Sequence, residues 1–236
     1  MKLHVALDHS GLIPCFAAIT EGKTSDIEIG RTVNFPKGSI VAVDKGYTDY
    51  KWFNQLNLKG VYFVIRLRKN AVWKVKERRP VDKKSGITSD QTIHLTGAKP
   101  KRIGLPVLRR VGFKDKLTGQ RYEFLTNNFD LDAATIAEIY KQRWQIELFF
   151  KWIKQNLKIK TFVGNSKNVV MTQIWIAMCT YLLLSYLKFS AKLGWSMQKI
   201  LRVLQLNIFL RRDLIALLRG DPCLKNTRDS KQLSFL

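Results

Sequence analysis

A chain of 236 residues, 46% of them hydrophobic, can close one large core or a core with an insertion, which excludes a disordered basic tail. Its 41 Lys+Arg against 18 Asp+Glu leave a net charge of +23, far beyond what solubility requires; with 11% aromatics this points to a polyanion, nucleic acid before a merely basic surface. Cys15, Cys179 and Cys223 have no metal-site spacing and are odd in number, which argues against a disulfide framework and fits a reducing cytoplasm; Cys15 and Cys179, in apolar runs, read as small core residues.

Along the chain, Leu3, Val5 and Leu7 alternate with His4 and Ala6, so the amino terminus reads as a strand and not as a leader peptide. Asp8-His9-Ser10-Gly11 is a turn, and Leu12 to Ile19 is the partner strand of a hairpin. Ser25 to Val33 reads as a short helix capped by Ser25 or Asp26. Ser39 to Val43 is a short buried strand ending at Asp44; Thr48 to Asn57 is a helix, and Val61 to Leu67 a strand. From Lys69 to Arg121 short alternating runs are separated by Pro, Gly, Asp and Ser, the pattern of an antiparallel β insertion. Thr135 to Leu157, Lys167 to Leu187 and Ser196 to Leu218 read as helices, followed by a polar tail. Residues 169–187 are about long enough to span a bilayer, but Thr172, Gln173, Thr180 and Ser185 favour a buried helix with a polar partner for Gln173, and no membrane partner is expected.

Charge is uneven. Residues 59–121 hold 18 Lys+Arg against four Asp+Glu, and residues 188–236 hold ten against three. These are the expected DNA-tracking surfaces. Trp73 lies in the first of them and reads as sheet packing in preference to base stacking. His4, His9 and His94 are isolated in sequence.

The helical run Ile136 to Lys158 contains Tyr140, Arg143, Glu147 and Lys154. At about 100° per residue these four fall within roughly 60° of one another, on a helix whose other faces carry Trp144, Leu148, Phe149, Trp152 and Ile153. A lone carboxylate flanked by cations suits a site where the carboxylate holds a metal and the cations hold phosphates. Asp44 ends a strand, where a side chain is fixed with little entropy left to lose. The bland alternatives are a strand-end turn for Asp44, an exposed pair with Lys151 for Glu147, solvated charges for Arg143 and Lys154, and core packing for Tyr140.

The spacing Tyr-x2-Arg-x3-Glu-x6-Lys resembles the Y-R-E-K signature of the IS4 family of insertion-sequence transposases. Val41-Ala42-Val43-Asp44-Lys45-Gly46-Tyr47 is similar to that family's D-x-G-Y strand, and Lys2 to Asp8 and Thr20 to Asp26 resemble the segments before it. The resemblance implies an α/β fold with an RNase H-like core, an inserted antiparallel β region and C-terminal helices. It implies catalytic, metal-holding carboxylates at Asp44 and Glu147, Mg²⁺ (or Mn²⁺) as cofactor, and DNA-backbone contacts from Tyr140, Arg143 and Lys154. The partners are then double-stranded DNA, as insertion-sequence ends and target, and a second copy in an active homodimer. Divisions follow at 1–58 for the first part of the core, 59–130 for a core strand and the basic insertion, 131–220 for the helical second part, and 221–236 for a tail. In the family a first aspartate stands on a strand preceding the Lys2 to Asp8 segment. Asp8 and Asp26 read as turn and cap residues, so the expectation is an incomplete polypeptide without that strand, which binds DNA and lacks strand transfer on its own. The alternative function is a catalytically inactive DNA-binding fragment that dimerises with, or inhibits, a full-length enzyme.

Overall fold

The computed structural model describes residues 1–157, 159, 162–192, 194–209 and 213–220; the expected tail and Cys223 lie outside them. The chain forms two compact units, Met1–Lys151 and Trp152–Leu236.

The first unit opens with β1 (Lys2–Asp8) and β2 (Ile13–Thr20), an antiparallel pair forming its own two-stranded sheet. After α1 (Asp26–Thr32) come β3 (Ile40–Val43), α2 (Tyr50–Leu58) and β4 (Tyr62–Arg66). Asp49 caps α2, its carboxylate accepting from Trp52 N. The α2 crossover returns the chain so that β3 and β4 pair in parallel. Then follow β5 (Trp73–Arg79), β6 (Ile87–Leu95), α3 (Ala98–Ile103), β7 (Leu108–Lys114) and β8 (Arg121–Thr126), all paired antiparallel. Because β4 pairs with β8, the β-rich block is no separate sheet. It extends the core sheet, in the order β3-β4-β8-β7-β6-β5.

Strand alternation gives this mixed sheet two faces. Phe63 and Ile65 of β4, with Leu125 of β8, point to α2, where Phe53 stacks on Phe63 at 4.4 Å between ring centroids and Trp52 and Leu56 complete the cluster. Val64, Val111 and Phe124 point the other way and are covered by α4 (Ala133–Gln142) through Ile136 and Ala137.

The expected single helix across 136–158 is two: α4, and α5 (Gln145–Asn156). At the junction Arg143 N bonds Tyr140 O, Trp144 N bonds Lys141 O, and Glu147 N bonds Trp144 O, the tight three-residue pattern of a 3₁₀ turn. Of the apolar residues on the other faces of this run, Trp144 and Leu148 are exposed.

In the second unit α6 (Lys167–Ser190) is followed by α7 (Met197–Leu206) and α8 (Leu214–Arg219), with Leu184, Ile200 and Leu218 at the centre of the cluster. The expected helix 196–218 is thus two helices, because Asn207 closes α7 with its side chain on Val203 O and Asp213 caps α8. α6 carries one buried stripe through Ile174, Met178, Tyr181 and Leu184, while Ile176, Leu183, Tyr186 and Phe189 are exposed, so it is not the wholly buried helix its sequence suggests. Among the described residues it alone is long and apolar enough to cross a membrane by length and composition. Gln173 does find a polar partner, accepting from Val163 N at 3.1 Å. Cys15 and Cys179 are exposed instead of core: Cys15 sits on the two-stranded sheet, and Cys179 lies off the buried stripe of α6.

Candidate active site

Asp44 follows β3 directly. Val43 registers with Ile65 on the α2 face, so alternation puts Asp44 beside Arg66 on the α4 face. Its Oδ1 accepts from Gly46 N at 3.0 Å and its carbonyl from Tyr47 N, capping a 3₁₀ turn over Lys45–Tyr47. The carboxylate is therefore oriented by its own turn, and Oδ2 has no protein partner among the described residues. β3 is an edge strand; no described strand pairs with its outer side.

From α4, Tyr140 lies over Phe124 with ring centroids 4.7 Å apart. Burial raises the pKa of its phenol; Arg143 opposes this, and the charges of Asp44 and Arg66 act with and against burial. Both the packing and the polar reading of Tyr140 thus have a physical basis. Arg143 ends α4, with its guanidinium carbon 5.8 Å from the Tyr140 ring centroid and Nη2 donating to Glu147 Oε1 at 2.8 Å. Burial alone would lower the Arg143 pKa; the Glu147 hydrogen bond, Tyr140, and the charges of Glu147 and Asp44 outweigh it and raise the value. Both carboxylates are thus close enough to act on one guanidinium. Arg143 Nε is the one buried side-chain nitrogen or oxygen among the described residues with no hydrogen-bond partner. Glu147 sits in the first turn of α5, where the helix dipole favours a carboxylate, and the ion pair it makes is with Arg143, not Lys151. Lys154 lies on the same helix beyond Lys151, in the second unit.

Arg66 escaped the sequence reading. Its guanidinium lies 5.0 Å from the Tyr122 ring centroid. The signal that would have found it is the alternation Phe63-Val64-Ile65-Arg66 on a strand pairing in parallel with the one that ends at Asp44.

The remaining candidates are accounted for structurally. Asp8 closes a turn, accepting from Ser10 Oγ at 2.7 Å. Asp26 does not cap α1 but pairs with Lys2 at 3.0 Å and with His4 Nδ1 at 3.4 Å. His4 is therefore not isolated: it is buried between Asp26 and Thr20 Oγ1, the latter at 2.8 Å. Trp73 packs against the α2-side cluster, with the Arg110 guanidinium 4.9 Å from its ring centroid. No group of three or more His, Cys, Asp or Glu side chains able to hold a metal occurs among the described residues. Asp44 and Glu147 are carboxylates, the hard oxygen donors that Mg²⁺ and Mn²⁺ prefer.

Residues 1–183 match the family model described as a transposase DDE domain. The chain is 37% identical over 229 residues to the protein assigned as transposase y4zB of Sinorhizobium fredii, covering 94% of this chain and 63% of that protein. It is 31% identical over 189 residues to the transposase assigned to insertion sequence IS5377 of Geobacillus stearothermophilus, covering 79% of this chain and 49% of that protein. With the transposase assigned to IS4SA of Synechocystis it shares 26% over 217 residues, 87% of this chain and 58% of that protein. The chain thus spans from about half to under two-thirds of the length of these relatives. With the Y-R-E-K and D-x-G-Y residues in place, the chain belongs to the DDE transposase-domain family, of the IS4 type.

Proposed function

We propose that this chain is the catalytic part of an IS4-type transposase that cuts and joins DNA at insertion-sequence ends, with Asp44 and Glu147 holding a divalent cation, Mg²⁺ or Mn²⁺. The observation that carries this reading is that a strand-end carboxylate and a helix carboxylate both act on Arg143, whose buried Nε–H has no acceptor. A phosphate oxygen is the acceptor that site would take. Bound there, the cation would supply charge neutralisation and an activated oxygen nucleophile for phosphoryl transfer.

The chain's own residues do the positioning. Asp44, fixed through Oδ1 by Gly46, presents Oδ2. Glu147 is released from Arg143, which turns its fork to the DNA backbone. Tyr140, kept protonated by its raised pKa, donates its O–H to a backbone oxygen; Lys154, in the second unit, belongs to the same proposal as a DNA-backbone contact. Arg66 is a further cation at this place. The sheet is read as RNase H-like: in that fold a strand bearing another aspartate lies beside the strand ending at Asp44, and the open outer side of β3 is compatible with one. The residue divisions at 58, 130 and 220, and a homodimer on DNA, belong to the same proposal.

The test is Mn²⁺ titration followed by electron paramagnetic resonance, with Asp44→Asn and Glu147→Gln beside the parent. Each is expected to weaken Mn²⁺ binding at least about tenfold. Mn²⁺ binding unchanged in both variants would sink the reading.

A further inference from the structure

We propose that the buried Asp90–Arg109 pair, which lies in the basic β block, is a positioning device for the site: it fixes the turn from which α4 leaves the sheet, and so sets where Tyr140 and Arg143 stand against Asp44. The proposal rests on the reading of those three residues as one site.

Asp90 on β6 and Arg109 on β7 are 5% and 3% exposed. Register places Asp90 opposite Val111 and Arg109 opposite Thr126, on the face that α4 covers. The pair is bidentate: Arg109 Nε donates to Oδ1 at 2.9 Å and Nη2 to Oδ2 at 2.7 Å. The third nitrogen, Nη1, donates to the carbonyls of Asn128, at 3.3 Å, and Leu131. Those carbonyls belong to the turn between β8 and α4. The turn is tightened by Asn128 Oδ1, which accepts from Asp130 N and Leu131 N, and it ends at Asp132, whose carboxylate caps α4 on Thr135 N. Asp90 also receives Arg79 of β5, at 3.4 Å, whose guanidinium carbon lies 5.5 Å from the ring centroid of Phe129 in the same turn. Three strands of the β block therefore converge on the point where α4 begins.

Stability alone does not call for this arrangement, since an apolar pair of similar volume is often as stable as a buried ion pair. Apolar packing of Ile136 and Ala137 is non-directional and lets a helix slide and tilt; hydrogen bonds to turn carbonyls do not. From Ala133 to Tyr140 is about 10 Å along the helix, so a tilt of roughly 10° at the turn displaces Tyr140 by about 2 Å.

The test uses the full chain with two variants: the paired replacement Asp90→Leu with Arg109→Met, which restores an apolar fit but frees the turn, and Arg109→Lys, which keeps the charge without the fork. The Tyr140–Phe124 ring contact is read by NOE on labelled aromatic residues, and affinity is measured for an insertion-sequence-end duplex. The expected result is a folded paired variant that melts below the parent, since the Asn128 and Leu131 carbonyls lose their donor, and that loses most of the NOE intensity and about tenfold in DNA affinity, with Arg109→Lys changed in the same direction. A paired variant that folds and keeps the full NOE overturns the proposal. If the paired variant does not fold, Arg109→Lys decides, and an intact NOE there is equally fatal. A lost NOE with unchanged DNA affinity supports the positioning role and removes the DNA-contact reading of Tyr140 and Arg143 instead.

Discussion

Glu147 is held by Arg143 at 2.8 Å, and both the Glu147 and Asp44 charges act on that guanidinium. A cation bound by the carboxylates must compete with Arg143 for Glu147 and tolerate its charge. Replacing Arg143 by Gln removes the competitor. Partly exposed pairs of this kind are worth about 0.2–1 kcal/mol, so Mn²⁺ should bind roughly 1.4- to fivefold tighter to Arg143→Gln. The same variant should bind DNA more weakly. Mn²⁺ binding that is weaker in the variant would mean that Arg143 supports the metal site instead of competing for it. His4 gives a pH dependence. Burial lowers its pKa below the ordinary 6.5; Asp26 opposes this and Lys2 assists it. As pH falls the unfolded chain takes up the proton first, so the stability from neutral His4 is complete above about pH 6.5 and is lost as pH drops through the lower folded value. The melting temperature should therefore fall between pH 7.5 and 5.5 by more in the parent than in His4→Gln. Equal falls in the two proteins would assign the acid sensitivity to other groups.

Elements with a strong local signature were legible in the sequence. The hairpin, the strand ending at Asp44, α2 and the four strands β5 to β8 are all present, because alternation and Gly, Asp and Asn turns are written locally. The β3–β4–β8 pairings were not legible. They join residues such as Val64 and Thr126, 62 positions apart in the chain, and no local pattern fixes which strand meets which. Arg66 was missed for that reason, since only the parallel register sets it beside Asp44. The break at Arg143 was missed because no Gly or Pro marks it. The signature pair Arg143–Glu147 survives the break, since four residues still bring the two side chains together. One long-range lock carries a prediction of its own. Asn127, at the end of β8, accepts from Phe63 N at 2.9 Å and donates to Val61 O and Asn57 Oδ1, each at 3.0 Å. Asn127→Ala leaves a buried N–H and a carbonyl unpaired, and should cost about 3 kcal/mol in urea unfolding. A loss below about 0.5 kcal/mol would show that the β4–β8 junction does not depend on it.

At the scale of the whole molecule, the chain carries a net charge of +23, and among the described residues part of that excess stands exposed on the edge of the sheet. β5 is the far edge of the six-stranded sheet, and Lys74, Lys76 and Arg78 stand exposed along it, their side chains making no ion pair or hydrogen bond among the described residues. Two explanations compete. Cations on an edge strand discourage edge-to-edge association, and that alone would justify them. Unpaired cations along the edge of the sheet that carries Asp44, spread over both its faces by the bulge at Lys76, are also what a DNA backbone would meet, and the two roles predict different salt behaviour. Each phosphate neutralised releases counterions and adds about −0.9 to the slope of log affinity against log salt. Binding to an insertion-sequence-end duplex should therefore weaken steeply with salt in the parent. Replacing Lys74, Lys76 and Arg78 together by Gln should reduce the slope by about 2 to 3 and weaken binding at low salt by at least about tenfold. The triple variant should melt like the parent, because the three side chains hold nothing in place. A slope and affinity unchanged in the triple variant, with new self-association on a sizing column, would assign the β5 edge to protection alone and move the DNA path to another basic surface.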